Sequence, residues 1–217
     1  MPRMSNLASV DKLNVIFFGE MDISAAEKRF RVVMAAAFER ILLNYYNRLL
    51  LVLSSMSEAD RSLILAAAAA EFIKEYLQWF NTYYPEYLQL VGSLTSGESE
   101  QWSDNRAEEL SSWISESMEK DTSNLLQRFI STIHTEINTV CALALMAGAL
   151  KKGYTRKRWK TFGDEKVRET HNEVNGETIP IQQPFIVGGY RMMFPGDTSF
   201  GAPAQEVVNC RCVVQYL

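Results

Sequence analysis

The chain has 217 residues, 47% of them hydrophobic and 22% charged, with a net charge of −4. That length accommodates one large or two small domains of ordinary globular composition. The negative balance excludes a whole-chain basic footprint for nucleic acid, so charge has to be read locally.

Residues 1–22 carry one apolar patch, Val15 to Phe18, and read as an N-terminal arm. They lack a charged start followed by an apolar core, so no signal peptide is expected. Ser24 precedes Glu27 by three residues, a capping-box start. From there Phe30, Val33, Met34, Phe38, Ile41, Tyr45, Leu49 and Val52 keep a helical period to about Ser55. A second helix starts at Ser57, with Asp60 three residues on. It presents Leu63, Ala66, Ala67, Ala70, Ile73, Leu77 and Phe80, and Pro85 is expected to stop it near Tyr83. After a polar connection, an acidic helix over Asn105–Met118 presents Leu110, Trp113 and Ile114. Asp121 or Thr122 then caps a long helix with the seam Leu126, Phe129, Ile130, Ile133, Ile137, Val140 and Ala144, ending between Gly148 and Gly153. The unbroken apolar runs, such as Cys141–Leu150, are shorter than a membrane span requires.

After Gly153 glycines and prolines cluster and the apolar segments shorten to "RWKTF", "ETIPI", "PFIV", "YRMMF" and "VVNCRCVVQYL". Asn175-Gly176 and Gly188-Gly189 read as hairpin turns. The predicted fold class is α+β: an arm (1–22), a helical region (23–152) and a small β-rich C-terminal module (153–217).

Three constellations could carry chemistry. Lys151, Lys152, Arg156, Lys157, Arg158 and Lys160 form a basic strip with Tyr154 and Trp159 interleaved, a pattern suited to DNA phosphates. The same cations also fit a solvated linker that offsets the C-terminus of the long helix. Second, Arg168 and His171 lie in "RETH", and with Asn209 and Arg211 they could build a catalytic site. A histidine base beside two guanidiniums suits a nuclease or a nucleotide-directed toxin-like enzyme. The other histidine, His134, reads as a structural residue on the long helix.

The third is the cysteine pair. Only three cysteines occur, an odd number that argues against a disulfide framework and for a reducing compartment. Cys210 and Cys212, expected on a strand, would point to one face. With His171 they supply three zinc ligands, and Asp164 could be a fourth. The reading set ahead of zinc is that both thiols pack as small buried hydrophobes. No Gly-rich phosphate loop, G-x-S-x-G elbow or H-E-x-x-H occurs, so no cofactor other than structural zinc is called for.

In order along the chain stand "WKTFGDEKVRETHNEVNG" from Trp159 to Gly176, Pro184-Phe185, Phe194-Pro195-Gly196-Asp197 and Asn209-Cys210-Arg211-Cys212. This set, with Thr135-Glu136 on the helix leading in, strongly resembles the C-terminal domain of the phage Mu F-like family. These are minor head or head-morphogenesis proteins of tailed phages and prophages. The resemblance covers roughly residues 125–217; earlier residues match only in being helical. It implies a non-enzymatic virion component, made in the host cytoplasm and associated with the portal and head interior during procapsid assembly. The implied partners are portal, capsid and scaffold proteins, with non-specific DNA contact and self-association as further expectations. The chain stops five residues after Cys212, which argues against an appended toxin domain.

Overall fold

A computed structural model describes residues 24–55, 58–90, 99–120 and 125–217. The expected arm at 1–22, the Ser57 start and the Asp121 or Thr122 cap lie outside the described residues. Among the described residues four helices come first: α1 (Ala25–Ser55), α2 (Glu58–Leu90), α3 (Ser99–Lys120) and α4 (Leu125–Lys151). Strands and short helices follow: β1 (Arg156–Lys160), α5 (Glu169–Glu173), β2 (Thr178–Pro180), β3 (Phe185–Val187), β4 (Tyr190–Met192), α6 (Ala204–Val207) and β5 (Val213–Tyr216). The fold is α+β. The described chain forms two compact units. One takes α1, α2 up to Tyr83, α3 and α4 up to Ile133; the other takes α2 from Tyr84, α4 from His134 and everything after it.

In the first unit, Ser24 caps α1 as its sequence dictates. The Glu27 amide donates to Ser24 Oγ (3.2 Å), and the Ser24 amide donates to Glu27 Oε2 (3.1 Å). Met34, Phe38, Tyr45, Leu49 and Val52 are buried, whereas Val33 is exposed. The buried face of α2 differs from the expected one. Leu63 is exposed, and the inward residues are Phe72, Tyr76 and Trp79, with Phe80. Aromatic rings each bury far more area than alanines, so they decide which face turns in. Phe72 stacks on Tyr45 (4.6 Å between centroids), Phe38 meets Trp79 (4.8 Å), and the Trp79 indole donates to the Met34 carbonyl (3.1 Å). Helix α3 is longer than expected and buries Leu110 and Ile114 as its pattern predicts, but leaves Trp113 exposed. The Tyr45 hydroxyl reaches Ser111 and Ser115 on it.

Pro85 does not stop α2, which continues to Leu90. An interior proline costs about 3 kcal/mol. Beyond it Tyr87 and Leu88 are buried, each worth about 1.5–3 kcal/mol, so continuing the helix is favourable. Helix α4 contains Ile130–Lys151, a stretch long and apolar enough to cross a membrane on length and composition, yet mostly buried as a core helix is. Its predicted seam residues Ile133, Ile137, Val140 and Ala144 are fully buried.

In the second unit, β1 is the centre of an antiparallel sheet in the order β2-β1-β5, and β3 and β4 form a separate hairpin. Gly188 and Gly189 make the two-residue hairpin turn as expected, both with positive φ. Asn175-Gly176 instead joins α5 to β2. The Gly176 amide donates to the Trp159 carbonyl, and Asn175 Oδ1 accepts from the Thr161 amide, so this turn is tied to β1. Trp159, Val174, Phe185, Val187, Met192, Ala202 and Val207 form the core. The "FPGD" segment is held from two sides. Asp197, buried, accepts from the Met193 and Ser199 amides, and Thr139 on α4 donates to the Gly196 carbonyl.

Candidate metal centre and basic face

Cys210 and Cys212 are not on a strand, contrary to expectation; β5 begins one residue later, at Val213. They lie on the turn after α6. Its pivot is Asn209, in the left-handed region at φ 56°, where asparagine is the best tolerated non-glycine residue. The Cys210 amide donates to the Val207 carbonyl and closes the turn. His171 sits on α5, edge-on to the buried Trp159 ring at 5.4 Å. The turn carries both sulfurs to the same ring nitrogen: His171 Nδ1 is 3.5 Å from Cys210 Sγ and 3.4 Å from Cys212 Sγ. All three ligand atoms lie within 4.8 Å of one another.

The other ring nitrogen faces a carboxylate. His171 Nε2 lies 3.2 Å from Glu206 Oε2, at ion-pair distance but out of line for a straight hydrogen bond. Thr170 donates to the same oxygen (2.9 Å), and the tight approach of Gly188 confines the carboxylate from the other side. A carboxylate at Nε2 favours the tautomer with the proton there and the lone pair on Nδ1, toward the sulfurs. The two thiols differ. Hydrogen bonding from Cys210 pulls the Cys212 pKa down to about 5 against the opposing effect of burial. Cys210, donating to Cys212 and buried, is pushed well up.

Asp164 does not join this cluster. Both of its carboxylate oxygens accept from one Arg211 nitrogen, Nη2 (2.6 and 2.9 Å), which holds its pKa below the ordinary value. The Arg211 guanidinium also lies over the Phe162 ring. Arg168 donates to the Val208 carbonyl, tying the start of α5 to the cysteine turn. Of the residues proposed for an enzyme, the two arginines therefore grip the protein's own acceptors, while His171 faces the thiols. His134 is buried on α4, with Nε2 3.0 Å from Asn138 Nδ2, a structural setting.

The basic strip divides by strand parity. Arg156, Arg158 and Lys160 are on the outer face of β1; Lys151, Lys152, Arg156 and Lys160 are exposed and Arg158 is half-buried. Arg156 and Arg158 donate to Thr178 on β2. The residues paired with this outer row are Pro180, Thr178, Gln215 and Val213, none of them acidic. Lys157 departs from the expectation of DNA contact: it is fully buried, donating to the Met193 carbonyl (2.7 Å) beneath the Phe185 ring. Burial pushes its pKa down to about 8, and Asp197 works in the opposite direction. The parity was readable, since Lys157 and Trp159 are two apart on one strand. Glu206, by contrast, gave no sequence signal, because its value comes from a contact across 35 residues of chain.

No solved structure matches the chain. The NAD(+)–arginine ADP-ribosyltransferase EFV of Enterococcus faecalis is 35% identical over 57 residues, or 26% of this chain and 11% of that protein. The chain thus spans about a tenth of the length of that curated relative. The broader match is to the Phage Mu protein F like family, over residues 90–215, which includes every motif from Thr135-Glu136 to Asn209-Cys210-Arg211-Cys212. The chain belongs to this family of phage head morphogenesis proteins.

Proposed function

We infer that the protein acts in head assembly as a minor component associated with the portal and the head interior, and that it contacts packaged DNA without sequence preference. The family match over residues 90–215 carries this reading. The module's motif residues also behave as scaffold: Trp159, Asp197 and Arg168 are used to hold its own segments together. The outer row of Arg156, Arg158 and Lys160, preceded by Lys151 and Lys152, supports a phosphate-facing side. Such contacts position a protein on DNA but carry no base information. Affinity capture of the tagged protein from cells assembling the phage tests the reading. Portal protein or procapsids should co-purify. A protein absent from both, and dispensable for infectious particles, would overturn it.

A further inference from the structure

We propose that His171 Nδ1, Cys210 Sγ and Cys212 Sγ form a zinc site, with Glu206 as the carboxylate that orients the imidazole and the fourth position left to solvent.

The distances fit the ion. Bond lengths of about 2.3 Å to sulfur and about 2.0–2.1 Å to nitrogen in a tetrahedron put ligand nitrogen and sulfur roughly 3.5–3.6 Å apart. His171 Nδ1 stands 3.4 and 3.5 Å from the two sulfurs. The ligand types fit as well, since two thiolates and an imidazole favour zinc over a hard cation. Metal-bound imidazoles characteristically donate their other ring N–H to a carboxylate, and Glu206 occupies that place. Glu206 is in turn fixed by Thr170 and by the close approach of Gly188.

Two other uses of these residues explain less. Plain packing of buried thiols would not require both sulfurs to address one ring nitrogen. A thiolate–imidazole nucleophile needs one sulfur, yet Cys210 and Cys212 are equivalent in distance to Nδ1, and Cys210 is buried. Zinc uses both sulfurs. Binding takes both sulfurs as thiolates, releases to solvent the proton that Cys210 still holds, and joins the cysteine turn to α5.

The test uses the whole chain, expressed with added zinc and purified without chelator. It should carry about one zinc, and cobalt(II) in its place should show thiolate charge-transfer absorption and intense visible bands of a tetrahedral site. Cys212→Ser should lower zinc content to roughly a tenth or less, while Cys141→Ser, outside the site, should leave it unchanged. Glu206→Gln should weaken zinc affinity about 10–100-fold in competition with a chromophoric chelator. Wild-type protein that carries no zinc and gives no cobalt–thiolate absorption would overturn the proposal, whatever the variants do. So would a Cys212→Ser variant with full zinc content. A Cys210–Cys212 disulfide in protein made in a reducing cytoplasm would overturn it too.

Discussion

His171 Nε2 lies 3.2 Å from Glu206 Oε2, and that contact aims the opposite ring nitrogen at two sulfurs from a different segment. Four pieces of chain meet here: β1 through Trp159, α5 through His171, the hairpin turn through Gly188, and α6 with its following turn through Glu206, Cys210 and Cys212. The motif from Trp159 to His171 and the closing Cys210-Arg211-Cys212 thus meet at one node.

The hairpin turn should be sensitive to a single methyl group. A Cβ on Gly188 would come within 2.8 Å of Glu206 Oε1, at a φ of +57° that already disfavours a side chain. Gly188→Ala should cost about 1–3 kcal/mol, from overpacking plus backbone strain. Gly189→Ala, with open space around its Cβ, should cost only the strain of its positive φ. Denaturant midpoints of the two variants measure the difference.

Asn209 supplies a separable backbone test. Alanine and glycine both remove its side chain, so their difference isolates the left-handed φ of 56°. Asn209→Gly should be more stable than Asn209→Ala by about 1 kcal/mol. Equal stability would mean that the turn does not depend on that conformation.

Lys157 should leave a signature in alkali. Its folded pKa, about 8, lies below the ordinary lysine value of 10.5, so at this group the folded protein binds fewer protons than the unfolded chain between those values. The contribution of Lys157 to stability should therefore rise with pH across that window. Lys157→Met removes this group while the cysteines still titrate, so the stability of the wild type minus that of Lys157→Met should increase with pH there. Chemical denaturation at several pH values from 7.5 to 10.5 reads the slope.

The outer face of β1 predicts a salt dependence. If Arg156, Arg158 and Lys160 each neutralise a phosphate, replacing all three with alanine should weaken binding to duplex DNA equally for unrelated sequences. It should also reduce the slope of log affinity against log salt by about 2.7, or 0.9 per contact. Lys157→Met, whose lysine is buried, should leave that slope unchanged.

Local signals were legible wherever the physics is local. The Ser24–Glu27 capping box, the Gly188-Gly189 hairpin and the division between long helices and short strands all follow from neighbours in sequence. Other features were settled by tertiary burial. Pro85 stays inside a helix because the residues after it are buried, and the aromatic face of α2 displaced the alanine-rich face. The His171–cysteine grouping was readable as a composition of ligand types, but its geometry was not. It needs an asparagine in a left-handed turn, not the strand that the apolar run suggested. Asp164 looked available as a fourth ligand until Arg211, 47 residues away, engaged it.

The node itself is most directly read by zinc-edge X-ray absorption on the whole chain. A shell of two sulfurs at about 2.3 Å with nitrogen or oxygen at about 2.0–2.1 Å is the predicted result. Zinc bound with no sulfur in its shell would contradict it, as would no zinc at all.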